Sequence, residues 1–365
     1  MHRSWIDNCK RLGAISAAAL ALGACGGGGG DPGGGATPAA IDITAANQDK
    51  VARTAAVGFQ AGLVSNSAGA VGGGTPSPLG VDRKSALHAA PSFARSSPLS
   101  VALRAVISRA PAREAAQNVG RVKSAALHDL GVTACRVSGS YSGTVDDRDN
   151  SQTTGIGDLI TIVFASCAMD TAAETVNGTL TLSLSQFTAT PHLSLVAAAT
   201  FANFTVVNTS DGNSARYDGG FTLSLAEPSA TLSTLRLVVS SALAAQVTTP
   251  AYSDTVTLQA GYTVDSVHDS SILPPGGTVP GRAATTIGGK LSSAAAGGMV
   301  EIATQAGIVQ YDVDLFPRSG LLKVVGPGSA MLVTVLSTTE VQLDLDADGN
   351  GSYETRKIVT WDFLL

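Results

Sequence analysis

The sequence predicts a mainly β protein: a large antiparallel meander, curled as a half-barrel or stacked as a sandwich, with a small helical N-terminal region. Three observations carry that prediction. From about residue 131 onward, apolar and polar residues alternate, as in Leu180, Leu182 and Leu184 set against Thr181, Ser183 and Ser185. Turn-forming clusters punctuate the alternating runs: DGNS from Asp211, PPGG from Pro274, RSG from Arg318 and GPG from Gly326. Charged residues are only 14% of the chain and aromatics 5%, so the polar strand positions fall to Ser and Thr. That suits an antiparallel sheet with one apolar face and one wet, hydroxyl-rich face.

The chain opens on MHRSWIDNCKRLG, which carries Arg3, Lys10 and Arg11. An apolar stretch follows from about Leu12 to Ala24, too short to span a bilayer and of the length of a secretory h-region. It ends in LGAC, Leu22 to Cys25. These residues resemble a bacterial lipobox, with Leu three places before the Cys and small residues between. The resemblance implies that residues 1–24 are a lipoprotein signal peptide and that Cys25 becomes the first residue of the mature chain. Its thiol and amine would then carry acyl chains, palmitate among them. Gly26 follows, not Asp, which in a Gram-negative bacterium implies export to the outer membrane, on its periplasmic or surface side. An ordinary secretory signal with an unrelated Cys is the other reading.

Next comes GGGGGDPGGGATP. No strand precedes these glycines and no Lys-Ser/Thr follows, so they are not a phosphate loop. Residues 25–43 read as the lipidated Cys and a flexible tether with a root-mean-square reach of roughly 20–25 Å.

Residues 44–130 read as a helical and linker region. Thr44 is placed to cap a helix whose face carries Val51, Ala55, Phe59 and Leu63. Ser65 to Gly80 reads as a second linker. Ser97-Pro98 is a good helix start, and Leu99, Leu103 and Val106 make a stripe behind it. That helix would act as a lid or, more commonly, cover a sheet edge.

The β-domain is predicted over 131–365, with roughly twelve strands. Ile160, Ile162 and Phe164 alternate with Thr161 and Val163; Phe221, Leu223 and Leu225 with Thr222 and Ser224. Tyr311, Val313 and Leu315 alternate with Asp312 and Asp314, and Val341, Leu343 and Leu345 with Gln342, Asp344 and Asp346. GTLTLSL from Gly178 and GFTLSL from Gly220 echo each other without making a repeat array. The segment CRVSGSYSGTVDDRDNSQTTGIGDLITIVFASC resembles one found in many β-rich proteobacterial lipoproteins. They too bracket a Gly-rich strand, an Asp-rich turn and an alternating strand between two Cys. They also end, as this chain does, in an Asp-rich hairpin followed by a Thr-Trp strand, here Thr360 and Trp361. The resemblance brings no activity with it.

Formal net charge is -5; Arg3, Lys10, Arg11 and Asp7 give the first 24 residues +2, leaving -7 for the rest. A mildly acidic body argues against nucleic acid and against a polybasic membrane patch. No G-x-S-x-G, H-E-x-x-H, S-x-x-K or C-x-x-C occurs. His88, His128, His192 and His268 are scattered and none has ligand spacing. No cofactor is implied. Cys9 leaves with the signal and Cys25 is acylated, so Cys135 and Cys167 are expected to pair in an oxidising compartment. Two buried thiols are the alternative.

The candidate metal site is DLDADGNGSYETRK, Asp344 to Lys357. Asp344, Asp346, Asp348 and Gly349 fit loop positions 1, 3, 5 and 6 of an EF-hand-type calcium loop, but Glu354 falls at 11 instead of 12. No helix flanks the loop. The alternation upstream puts Asp344 and Asp346 on the wet face of a strand, and Tyr353 to Trp361 reads as the returning strand. Asp348-Gly349 and Asn350-Gly351 are overlapping hairpin-turn signals. The hairpin reading is therefore preferred, with calcium on Asp344, Asp346, Asp348 and Glu354 as the alternative. The Asp146, Asp147, Asp149 cluster also reads as a turn before a metal site, since it lacks a Gly at the matching offset.

The function these features suggest is a membrane-anchored envelope lipoprotein with a non-enzymatic, structural or partner-binding β-domain. The alternative is a carrier holding a lipid or other apolar ligand in the curled sheet, with a helix as lid. Expected partners are the membrane, through the Cys25 acyl chains, and an envelope protein or apolar ligand.

Overall fold

The computed structural model describes residues 38–69 and 126–364, apart from 136, 149–154, 169–173, 189–191, 211, 251, 279 and 315. The signal segment, Cys25, the glycine tether before Pro38, His88, Asp149, Leu315 and the Ser97-Pro98 helix lie outside the described residues. No described helix is long and apolar enough to cross a membrane.

Helix α1 spans Gln48–Gly69. The strands that follow are β1 (Ala126–Ala134), β2 (Ser138–Asp147), β3 (Leu159–Ala168), β4 (Glu174–Thr188), β5 (Ser194–Asn208), β6 (Asn213–Ala226), β7 (Leu232–Val239) and β8 (Leu243–Thr249). Then come β9 (Tyr252–Leu258), β10 (Thr263–Asp269), β11 (Arg282–Ser293), β12 (Gly298–Tyr311), β13 (Ser319–Gly326), β14 (Ser329–Val335), β15 (Glu340–Asp346) and β16 (Thr355–Thr360). A last helical turn, α2, covers Trp361–Leu364. All sixteen strands belong to one antiparallel sheet, not to two stacked ones. The alternation predicted from sequence holds: Ile160, Ile162, Phe164, Leu180, Leu182, Leu184, Phe221, Leu223 and Leu225 all face the core and are buried.

The sheet runs in chain order from β1 to β7, then β10 to β16, with the β8–β9 hairpin off that path. It forks at two long strands. β6 pairs with β7 through Phe221–Ala226 and with β8 through Ser214–Asp218. β11 pairs with β10 through Arg282–Gly288 and with β9 through Leu291–Ser293. Gly219 and Gly289 stand at the two forks with φ of 129° and 130°, a region L side chains rarely enter. A Cβ on Gly219 would strike the Ala242 carbonyl, and one on Gly289 would lie 2.7 Å from the Tyr262 Cα. These glycines let one strand serve two neighbours.

α1 packs on the inner side of the sheet against β7, β9, β10 and β11. The sequence predicts one apolar face, but every residue from Thr54 to Phe59 is buried. Small side chains make this possible. At Gly58, a Cβ would lie 2.8 Å from the Tyr262 hydroxyl and 2.9 Å from Leu291 Cδ2. Among the described residues that hydroxyl is buried without a hydrogen-bond partner, and burial pushes its pKa far above the ordinary tyrosine value. On the other side, Phe59 lies 6.4 Å from Trp361, which stacks on Phe316 at 5.5 Å. Arg53 lies 4.8 Å from the Tyr252 ring of β9 and 4.7 Å from the Phe363 ring of α2. Lys357 of β16 binds both carboxylate oxygens of Asp49 at 2.8 Å. The middle of the sheet and its last strand thus meet around one helix, as a half-barrel requires. Each such cation–ring contact contributes about 0.5–1 kcal/mol when partly exposed.

Several sequence boundaries move. Among the described residues the strand count is sixteen, not about twelve, and β1 begins at Ala126 inside the stretch read as linker. α1 runs through Ser65 to Gly69, also read as linker. Asn47, not Thr44, immediately precedes α1, and its carboxamide oxygen accepts the Thr44 N–H at 2.8 Å. Residues 39–43, read as tether, dock on the sheet: Ala40 bridges Met299 in parallel, and Ile43 is fully buried. β12 ends at Tyr311, because Asp312 and Asp314 turn away to His268 and Arg318.

Candidate functional site

The acidic hairpin is the best-defined polar cluster suggested by the sequence. β15 and β16 pair from Glu340↔Thr360 to Leu345↔Thr355, so the predicted hairpin is present. Its connection is longer than a two-residue turn. The strands end at Asp346 and resume at Thr355. Gly349 and Gly351 take φ of 69° and 88°, which lets the loop fold back.

Asp346 and Asp344 do not lie on a wet face, as the alternation predicts; they are 3% and 5% exposed. The reason is local hydrogen bonding. Asp346 accepts the Asn350 N–H at 3.1 Å on one carboxylate oxygen and the Gly351 N–H at 3.0 Å on the other. Asp344 accepts from Arg356 Nε at 2.7 Å and from Gln342 Nε2 at 2.6 Å, and these two side chains shield it. Asp344 is therefore withdrawn from the alternative calcium set.

The structure does bring the other three together. Asp346, Asp348 and Glu354 each offer one oxygen, all within 4.8 Å of one another. These carboxylates are also engaged by the loop. Asp348 accepts from the Asn350 backbone at 3.2 Å and its side chain at 2.9 Å, and Glu354 accepts the Ala347 N–H at 3.1 Å. A cation would have to compete with these donors, so the arrangement is first a carboxylate-ordered turn. Burial and the Asp346 and Asp344 carboxylates push the nearby Tyr353 phenol above its usual pKa.

In the second acidic cluster, Asp146 and Asp147 point to opposite faces. Asp146 pairs with Arg148 at 3.3 Å on the outer face, while Asp147 is 1% exposed and 3.6 Å from His128. The residue that orders this region is Asp158, which accepts the Arg148 N–H at 3.2 Å and the Gly155 N–H at 2.7 Å. Its only sequence signal is the Gly-Asp step.

His268 Nε2 lies 3.1 Å from Asp312, which orients the ring. The neighbouring hydroxyls are committed elsewhere, Ser270 to the Thr231 carbonyl and Ser271 to Asp269. Cys135 and Cys167 form a disulfide with Cα atoms 5.5 Å apart.

Two spaces bear on ligand binding. Between α1 and the side chains of β12–β14, the cavity is about 10 Å³, lined by Ala56, Phe59, Ile308 and Trp361 among others. One water needs roughly 10–15 Å³. An open depression of about 260 Å³ crosses β5, β6, β7 and β10 beside Arg236 and Asp265, which stand 3.7 Å apart. Pockets for drug-sized molecules hold roughly 300–1,000 Å³. Compared with family models, with curated proteins and with solved structures, the chain matches none.

Proposed function

We propose that this chain is a lipoprotein held in the outer membrane of a Gram-negative bacterium by acyl chains on Cys25, with a β-domain that scaffolds or binds an envelope partner. The LGAC motif supports the anchor. The Cys135–Cys167 disulfide supports an exported, oxidising setting. About 13 residues separate Cys25 from Pro38, and a glycine-rich sequence of that length, read as a tether, would reach roughly 20 Å. The domain would sit just off the headgroups.

The observation that carries scaffold over carrier is the position of α1. The helix occupies the curl of the sheet that a carried ligand would need, and the cavity beside it against β12–β14 holds about 10 Å³.

Anchorage is tested by growing cells with radiolabelled palmitate. The parent chain should incorporate label and the Cys25→Ser variant should lose it. Undiminished label in the variant would contradict the anchor.

A further inference from the structure

We propose that β1 is a self-association edge, pairing antiparallel with β1 of a second copy of this chain. β1 ends the strand order and, among the described residues, pairs only with β2. Its sequence, ALHDLGVTA, has none of the Lys, Arg or Pro that commonly blunt free edges. Two of its large apolar side chains point the wrong way for a core strand: Leu127 is 73% exposed and Val132 76%.

The register explains how both reach one face. Leu127 stands opposite Asp146 and Val132 opposite Ser142, both outward positions of β2. An odd spacing of five would normally put Leu127 and Val132 on opposite faces. The bulge between Asp129 and Gly131 brings them to the same one.

This arrangement fits itself. With a two-fold axis between positions 129 and 130, Leu127 of each copy meets Val132 of the other, and His128 meets Gly131. The members of each pair share a face: Leu127 and Val132 stand opposite outward positions of β2, His128 and Gly131 opposite the buried Val145 and Gly143, and the two bulges meet at the axis. Two Leu–Val contacts then cover the exposed apolar groups, each cross-strand pair contributing roughly 0.2–1 kcal/mol. One element opposes association. Asp129, whose carboxylate accepts the Gly131 N–H at 2.8 Å, stands beside its own copy at the axis. One short strand buries little area, so the dimer is weak in solution and gains from concentration on a membrane. In that last respect alone it rests on the anchored reading.

The test uses the unacylated mature chain with Cys25→Ser, so its failure is separate from failure of the anchor. Sedimentation equilibrium should show a concentration-dependent dimer. Val132→Lys should weaken association at least about tenfold, and Asp129→Asn should strengthen it by roughly threefold to tenfold. Retained circular dichroism shows that each variant is folded. Oxidised chain carrying both Leu127→Cys and Val132→Cys should form a covalent dimer, and either single variant far less. A monomer up to about 1 mM would overturn the proposal. So would a folded Val132→Lys chain that dimerises like its parent, or single-Cys variants that cross-link as well as the double.

Discussion

Replacing Cys135 and Cys167 together by Ala is expected to lower the stability of the β-domain by roughly 3–4 kcal/mol in the chain-entropy account. The bond spans a sequence separation of 32 and links the end of β1 to the end of β3. Two backbone bonds hold the same corner: Cys135 N–H to Gly139 O at 3.1 Å and Val137 N–H to Ala168 O at 3.0 Å. Cys135 is 7% exposed, whereas Leu127, Asp129 and residues 131–134 are exposed. The strand therefore depends on β2 pairing and this covalent tie. Urea unfolding of oxidised parent and double variant measures the difference, and amide exchange over 126–134 should accelerate in the variant. A loss below about 1 kcal/mol would show that the link constrains little of the unfolded chain.

Asp346→Ala should cost roughly 1.5–3 kcal/mol. The carboxylate holds two loop N–H groups, and hydrogen bonds to a charged partner are each worth roughly 1.5–3 kcal/mol. Its removal takes that acceptor from the Asn350 and Gly351 amides; residues 347–354 are exposed, so water can replace it, and Asn350 N–H keeps Asp348 at 3.2 Å. Asp348→Ala, on the exposed tip, should cost less than about 1 kcal/mol. Thermal unfolding of both variants in chelator checks the contrast. Equal, small losses would mean that Asp346 does not order the loop. Calorimetric titration with calcium is expected to give little heat with the parent. Micromolar binding abolished by Asp346→Ala would make the acidic hairpin a metal centre.

Asp346 also shows where sequence reading stops. Alternation around Val341, Leu343 and Leu345 correctly assigned the inner face, because those side chains enter a common core. It could not show that the opposite face is covered as well, since Arg356 and the folded-back loop supply that cover from elsewhere in the chain. The hydroxyl-rich strands from Ile160 to Leu225 were legible because period two survives any curvature of the sheet. The forks at Gly219 and Gly289 were not, because a glycine in a strand pattern does not say which neighbour splits the pairing. α1 was legible as a helix but not as the centre of the curl. Its Val51, Ala55 and Phe59 spacing is that of an ordinary surface helix, and only the Ala and Gly between them hint at contacts all round. Residues 39–43 looked like tether because Pro and Gly precede them; the Ile41 and Ile43 alternation was the available signal. Within the acidic hairpin, the convergence of Asp346, Asp348 and Glu354 was partly legible from spacing. The diversion of Asp344 to Arg356 was set by cross-strand register, which the sequence does not print.

The most direct test of the scaffold account asks whether the curled sheet carries anything besides its own helix. Native mass spectrometry of the unacylated mature chain, purified from cells under mild conditions, should give the mass of the polypeptide alone or of its dimer. An organic extract of the same sample should hold no stoichiometric lipid. A bound lipid at one per chain, released by unfolding, would contradict the scaffold reading and establish the carrier.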